Sequence, residues 1–230
     1  MPATMTRSRQ DYLKALYALA PPAAGRGARA AVAPSRLAQR LGVSAPSVTH
    51  MLARLARERL VTHAPRAGAW LTARGRREAL RVLRRHRILE TFLVRVLGFD
   101  WAEVHADAEV LEHHISDRVL AAIDRIMGHP VEDPHGHPIP DRSGRVRRRR
   151  LAPLSTLPPG ARAVVREIHD ADGRRMGRWK DAGLVPGAAV RMREVHPLDD
   201  VFVIAIGRRR VVTGSEGLEG ILVQPARRRA

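Results

Sequence analysis

The chain has 230 residues, of which 44% are hydrophobic, so it can supply the core of one large domain or of two to three small ones. It has no cysteine, which excludes disulfide scaffolds, thiolate zinc sites and thiol nucleophiles, and it has no apolar run long enough for a signal peptide or a membrane span, so we expect a cytoplasmic protein. Its formal net charge of +18 predicts a polyanionic partner, and its aromatic content of 3% is too low for the base-stacking surfaces of single-strand or RNA binders, which favours duplex DNA.

The N-terminal part of the chain carries the pattern of a helix-turn-helix. Apolar residues at helical spacing predict a helix over residues 11–20, which ends at Pro21. A short helix over residues 34–41 is broken by Gly42, and Ser44 then opens a longer helix. Two helices joined in this way are typical of DNA-binding proteins.

A two-stranded wing is predicted after the helix-turn-helix. The strands cover residues 60–63 and 69–72, and the turn between them contains Pro65 and Gly68. Thr72 stands where it can cap the helix that follows. The three predictions together describe a winged helix-turn-helix.

The exposed face of the helix that begins at Ser44 is the predicted DNA-reading surface. Its N-terminus has free N–H groups that can meet a phosphate, and proline is tolerated in its first turn. Ser, Thr and His side chains can touch base edges, and Arg side chains can neutralise phosphates. An ordinary amphipathic helix with a solvated face is the alternative. The candidate DNA-binding residues are Ser44, Pro46, Ser47, Thr49, His50, Arg54, Arg57 and Arg66.

Three further helices are predicted, over residues 74–97, 101–113 and 116–127, and they form a second, helical layer. Apolar residues around Ile115, Val119 and Ile123 could pair with a second copy of the chain. The basic run over residues 141–150 predicts a solvated linker. Beyond it, short β-branched segments predict a small β-barrel-like domain, at residues 163–168, 189–192, 201–204 and 210–212.

Histidines and carboxylates recur at helical spacing in the predicted helical layer. One helix places them at i, i+4, i+7 and i+8, nearly on one face, and the preceding helix has an i, i+4 pair. These residues are His105, Glu109, Glu112 and His113, and then His86 and Glu90. A single buried histidine is usually structural, but this set predicts a divalent-metal site. Imidazole and carboxylate donors without thiolates suit Mn²⁺ or Fe²⁺.

Two other functions fit parts of this pattern. A di-metal carboxylate enzyme usually repeats Glu-x-x-His on two helices, whereas here Glu-x-x-Glu-His occurs once, so we expect no enzyme and no small-molecule substrate. In a winged-helix regulator that does not respond to metals, the same histidines would form part of a polar core. Metal-independent operator binding would favour that second alternative.

The order of these motifs resembles the diphtheria-toxin-repressor and manganese-transport-regulator family over nearly the whole chain. The motifs are the helix-turn-helix over residues 37–44, His-Arg-Ile-Leu-Glu at 86–90, Val-His at 104–105 with Glu-Val-Leu-Glu-His at 109–113, and Gly-His-Pro-Ile-Pro at 136–140. Gly-Leu-Val-Pro-Gly at 183–187 is similar to the SH3-like domain of the longer members.

The resemblance implies an α+β fold in three domains and a homodimer that binds a double-stranded DNA operator. It implies a winged helix at residues 1–75, a helical metal-binding and dimerisation domain at 76–140, a basic linker at 141–152, and an SH3-like domain with a basic tail at 153–230. Control of metal-uptake genes, as a repressor, is the implied function.

Two metal sites per chain are implied as well. One would use His86, Glu90 and His105 with a ligand from the SH3-like domain, for which Asp172 is the candidate. The other would use Asp11, Glu109, Glu112 and His113. For His135 and His137 we expect a loop role.

The resemblance also bears on the metal. Asp11 stands where iron-type members have Met, and Glu109 stands where they have Cys, so both residues favour Mn²⁺, with Fe²⁺ second. Lys14 stands where short manganese-type members have Glu, and this departure keeps the choice open.

Overall fold

A computed structural model describes residues 5–20, 31–64, 67–147, 149–169 and 173–226. The chain divides into two compact units, residues 1–85 with 140–145 and residues 86–139 with 146–230. Among the described residues, no helix combines the length and the apolarity that crossing a membrane requires. The predicted domain boundaries stay predictions.

The first unit contains the predicted helix-turn-helix and wing. Its elements are α1 (Arg7–Leu19), α2 (Pro34–Leu41), α3 (Ala45–Arg57), β1 (Val61–Ala64), β2 (Gly68–Leu71) and the start of α4 (Ala73–Arg95). Gly42 adopts a left-handed φ of 64° and ends α2, and the Ser44 hydroxyl caps α3. The core beneath them is fully buried around Leu13, Leu37 and Leu52.

The wing is an antiparallel pair in which Val61 faces Leu71 and Ala64 faces Gly68. Val32 adds a bridge to Ala69 that the sequence pattern did not predict. The Thr72 hydroxyl accepts a hydrogen bond from the Gly75 N–H at 3.0 Å, which confirms the predicted cap of α4.

The helical part of the second unit comprises the C-terminal half of α4, α5 (Val104–Leu111) and α6 (Asp117–Ile126). Its core is formed by Ile88, Leu89, Leu93, Val104 and Ala108, with further residues of α6. The predicted helix over residues 101–113 is too long at both ends. Residues 101–103 and 112–114 are turns, so Glu112 and His113 follow the helix rather than lie within it.

The C-terminal part of the second unit is a six-stranded antiparallel sheet with a helix. Its elements are β3 (Ala152–Pro153), β4 (Arg162–Ile168), α7 (Gly173–Ala182), β5 (Ala189–His196), β6 (Val201–Ile206), β7 (Arg209–Thr213) and β8 (Ile221–Pro225). The strand order is β3-β8-β4-β5-β6-β7. Buried Met176 and Trp179 of α7 pack in the core of the sheet. The sequence pattern missed α7, β3 and β8.

The turn over residues 132–138 lies beside β4 within this unit. Gly136 has a φ of 85°, and a Cβ there would come within 1.8 Å of the Arg166 carbonyl oxygen, so only glycine fits. The Ile168 N–H donates to the His135 carbonyl oxygen at 3.0 Å. Backbone contacts therefore hold the turn to the sheet.

The predicted linker is partly ordered. The Asp141 carboxylate accepts hydrogen bonds from the backbone N–H groups of Ser143 and Arg145, at 2.8 and 2.9 Å. Arg149 donates to the Gly136 carbonyl oxygen and forms an ion pair with Glu132. In its described residues this segment is thus more than a solvated tether.

Two helical glycines give a test of the packing. A Cβ on Gly75 would lie 1.8 Å from the Leu60 carbonyl oxygen, whereas a Cβ on Gly177 would meet nothing within 4 Å. We expect Gly75→Ala to destabilise the protein by about 1–3 kcal/mol through overpacking. Gly177→Ala should stabilise it by up to about 1 kcal/mol through helix propensity. Urea unfolding followed by circular dichroism measures both, and equal effects of the two variants would contradict this packing.

Candidate metal centre and nucleic-acid surface

The exposed face of α3 carries most of the predicted DNA-reading residues. Val48, Leu52 and Leu55 are fully buried, so the opposite face is left to solvent. The Ser44 and Ser47 hydroxyl oxygens are 2.9 Å apart at the start of the helix. The exposed residues of the prediction are Ser44, Pro46, Ser47, Thr49, His50, Arg54 and Arg57, and Arg66 lies outside the described residues.

The cationic end of α3 is partly neutralised. Arg54 lies 3.6 Å from the Glu58 carboxylate, which also pairs with Arg9 at 2.9 Å. Arg57 is exposed, and its guanidinium forms none of the ion pairs or hydrogen bonds of the described residues. A helix with small hydroxyl side chains at its N-terminus and guanidiniums further along has the donors that phosphates and base edges require.

A buried network of histidines and carboxylates occupies the helical part of the second unit. His86 Nδ1 lies 2.6 Å from a Glu112 carboxylate oxygen, and its Nε2 lies 2.9 Å from Glu90 and 3.0 Å from His105 Nδ1. His105 Nε2 in turn lies 3.4 Å from Glu109. Glu112 and Glu90 are 0% and 2% exposed. Two buried carboxylates are thus held by imidazoles.

This network contains a set of atoms suited to a cation. His86, His105 and Glu109 offer ligand atoms that all lie within 4.8 Å of one another. His113 Nε2 lies 3.3 Å from the second oxygen of Glu112, so His113 joins the same network. The donors are nitrogen and oxygen only, which suits Mn²⁺, Fe²⁺ or Zn²⁺.

His135 also belongs to this centre, although we expected only a loop role for it. Its Nδ1 lies 3.7 Å from Glu90, and its Nε2 lies 2.7 Å from the Trp101 carbonyl oxygen. The available signal was the alternation of Asp133, His135 and His137, which offers three ligand types at every second position. Their ligand atoms lie within 4.8 Å of one another.

The protonation of the centre follows from its burial and its pairing. Burial alone would raise the pKa of Glu90, but the charge of His86 and hydrogen bonds from His105, His135 and His86 hold that pKa well below its usual value. Burial alone would lower the pKa of His135, but the Glu90 and Asp133 carboxylates and the Trp101 carbonyl raise it. A charged carboxylate and a proton-bearing imidazole therefore face each other in the metal-free chain.

The two remaining predicted ligands are Asp11 and Asp172. Asp11 belongs to α1 in the first unit, where its carboxylate lies 3.9 Å from Arg7, so its role as a ligand stays a prediction. Asp172 lies outside the described residues.

Comparison with known proteins relates the exposed face of α3 and the buried network to the domains of one protein family. Family models for the DNA-binding domain of iron-dependent repressors, for their metal-binding and dimerisation domain, and for the FeoA domain match residues 4–69, 72–141 and 152–225. The iron-dependent repressor IdeR of Mycobacterium leprae (strain TN) is 33% identical over 202 residues, which cover 83% of this chain and 87% of that protein.

The chain belongs to the iron-dependent repressor family. A solved manganese-dependent transcriptional repressor in complex with manganese is similar with a TM-score of 0.85 and 36% identity, over 95% of this chain and 100% of that chain. The structure of ScaR with bound Zn²⁺ is similar with a TM-score of 0.78 and 27% identity, over 94% and 98%. The resemblance and the fold class inferred from the sequence are confirmed.

Membership in the iron-dependent repressor family gives the general function of the chain. The chain is a metal-dependent DNA-binding repressor with a winged helix, a metal-binding and dimerisation domain, and a FeoA domain. The buried histidine–carboxylate network lies within the residues matched by the metal-binding and dimerisation model.

The pairing of His135 with Glu90 predicts a pH dependence of the metal-free repressor. Because the pKa of His135 is raised above 6.5, its protonated form stabilises the folded chain at low pH, and this contribution is lost as the pH rises through the raised value. We expect the melting temperature of the metal-free protein to fall from pH ~6 to pH ~8 more in the wild type than in His135→Gln. Exposed His196→Gln is the control and should behave like the wild type. Parallel curves for His135→Gln and wild type would contradict the pairing.

Proposed function

We propose that the chain is a manganese-responsive repressor of metal-uptake genes, with iron as the second candidate ion. The observation that carries the proposal is the buried network of imidazole and carboxylate donors, in which sulfur plays no part. Hard oxygen donors beside imidazoles suit Mn²⁺ and Fe²⁺, whereas a thiolate would favour softer ions. The similar manganese-bound repressor supports the choice of manganese.

Two metal sites per chain are part of this proposal. His86, Glu90 and His105 would hold one ion, and Glu109, Glu112 and His113 would hold the other together with Asp11. Glu109 can serve either site, because its carboxylate is within reach of His105. The contact between His86 and Glu112 would couple the two sites, since an ion on one of these residues displaces the proton that they share.

The proposed switch depends on charge. In the metal-free chain, imidazole protons balance the buried carboxylates, and Asp11 would add a further negative charge to the second site. A bound divalent cation reverses that repulsion and holds the winged helix in the DNA-binding arrangement. A shift from 1:99 to 99:1 needs about 5.5 kcal/mol of differential affinity. By linkage, operator DNA must then tighten metal binding.

The homodimer of the family would bring two copies of α3 to an operator. Exposed apolar side chains on and beside α5 and α6 are available to be covered by a second copy of the chain. They include Leu97, Phe99, Val110, Leu111, Val119 and Ile126. Of the three residues that we expected at the interface, Val119 is 49% exposed, whereas Ile123 and Ile115 pack in the helical core.

Substitution of Glu112 tests the metal switch. Glu112→Gln keeps the volume of the side chain and removes its charge, so we expect it to need at least about tenfold more Mn²⁺ for half-maximal DNA binding. The probe is a labelled duplex selected from a random pool by the manganese-loaded wild type. Anisotropy titrations with Mn²⁺, Fe²⁺ and Zn²⁺ at fixed salt measure the response.

Exposed Glu103→Gln, near the start of α5, is the matched control and should titrate like the wild type. The same Mn²⁺ dependence in Glu112→Gln and wild type would overturn the metal switch. A stronger response to Fe²⁺ than to Mn²⁺ in the wild type would overturn the choice of manganese.

The roles of the α3 residues can be separated by salt dependence. His50→Ala should cost about 1–3 kcal/mol on the selected duplex and little on random DNA, because a base contact is lost. Arg57→Ala should weaken binding to both duplexes and reduce the salt slope by about one, because a phosphate contact is lost. Arg208→Ala, an exposed arginine between β6 and β7, controls for net charge. If Arg208→Ala matches Arg57→Ala, α3 has no special role in DNA binding.

A further inference from the structure

A second group of metal-ligand side chains lies where the turn over residues 132–138 meets β4. His137 of the turn meets Glu167 of β4 and His169, which follows β4, and their ligand atoms all lie within 4.8 Å of one another. The His137 and His169 rings are 4.3 Å apart between centroids, and His169 Nε2 lies 3.0 Å from the Glu167 carboxylate. None of these residues belongs to the predicted manganese ligands.

His137 is oriented as metal-bound histidines usually are. Its Nδ1 lies 3.1 Å from Asp133 Oδ2, and its backbone N–H donates to Asp133 Oδ1 at 2.9 Å. A carboxylate on one ring nitrogen sets the tautomer and leaves the other nitrogen as a lone-pair donor. His137 Nε2 is that other nitrogen. It is buried, and it has no hydrogen-bond partner within the described part of the chain.

The backbone around this group is held in place. The His169 N–H donates to the Gly220 carbonyl oxygen at 2.8 Å, and a Cβ on Gly220 would come within 2.3 Å of the His169 carbonyl oxygen. On the other side, the contact of Gly136 with the Arg166 carbonyl fixes the turn that carries His137. The three ligands therefore converge from two anchored segments.

The charges and the exposure of the group suit a divalent cation. Glu167, Asp133 and Glu132 bring three carboxylates, against the guanidiniums of Arg87 and Arg149. Burial lowers the pKa of His137, which keeps its ring neutral and able to coordinate. The His169 side chain is 47% exposed, so an ion can enter from solvent and this ring can rotate to meet it.

We propose that His137, Glu167 and His169 form a zinc site that fastens the turn over residues 132–138 to strand β4. Two imidazoles and one carboxylate with an open fourth position are a common zinc ligand set. Tetrahedral bonds of about 2.0–2.1 Å place ligand atoms about 3.4 Å apart, so the three ligand atoms, now within 4.8 Å of one another, would draw closer around the ion. The bound ion would replace the proton that His169 and Glu167 now share.

This site is separate from the manganese centre. His135 lies next to Glu90, whereas His137 is directed to Glu167 and His169, and the two rings are 6.1 Å apart between centroids. Asp133 supports His137 and also lies beside His135, so the two sites lie on the same turn. None of the three zinc ligands is a ligand of the manganese centre. Loss of the zinc site should leave the manganese response of DNA binding in place.

Zinc stoichiometry of the full chain tests the proposal. After removal of metals and reloading with Zn²⁺, the wild type should retain one more zinc per chain than His169→Ala and His137→Ala, measured by elemental analysis after gel filtration. Zn²⁺ should also raise the melting temperature of the wild type more than that of His169→Ala, because a ligand of the folded state stabilises it. Cobalt substitution should give a visible tetrahedral absorption band that His169→Ala loses.

The chain offers a matched control in β5. His196 Nε2 lies 3.3 Å from Glu194, which repeats the Glu-x-His spacing of Glu167 and His169, but there Arg210 faces the carboxylate. His196→Ala should retain the zinc content of the wild type. Equal zinc content in His169→Ala and wild type would overturn the proposal, and so would an equal loss in His196→Ala.

Discussion

Two carboxylates that are almost completely removed from water determine how the helical domain is organised. Glu90 and Glu112 are charged groups in a core of Ile, Leu and Val side chains, and an unpaired charge there would cost several kcal/mol. His86 contacts both carboxylates, and His105 and His135 contact Glu90. Because these partners come from α4, α5 and the turn over residues 132–138, the need to satisfy the charges joins three segments that are distant in sequence.

The need to pair these buried carboxylates also explains how such a domain can respond to a metal. Imidazole protons satisfy the buried carboxylates in the metal-free chain, and a divalent cation can replace those protons and bind the same oxygen and nitrogen atoms. A bound ion would therefore satisfy the same buried groups and change the charge of the network.

Local signals predicted the winged helix correctly, and they selected histidines and carboxylates that the structure brings together. Gly42 and Ser44 mark the turn and the cap of the helix-turn-helix through their own backbone and side-chain chemistry, and His86 and Glu90 share a face because helical spacing requires it. The predicted C-terminal end of α5 was wrong. Side chains in the turn after a helix can reach the same neighbours as side chains at i+7 and i+8 of a longer helix, so the spacing did not show where the helix ends. The helix α7 was missed because only Met176 and Trp179 mark its buried face among charged residues.

The sequence alone predicts the helix-turn-helix and wing, the cysteine-free donor set, and three histidines that meet at Glu90 and Glu112, namely His86, His105 and His113. These depend on residue type and on spacing within one helix or turn. Only the tertiary structure decided that His135 turns to Glu90 while His137 turns to Glu167 and His169. His135 and His137 are only two residues apart, so their spacing does not say which neighbour each ring meets. That depends on how the turn is positioned against β4, where Gly136 is in close contact with the Arg166 carbonyl.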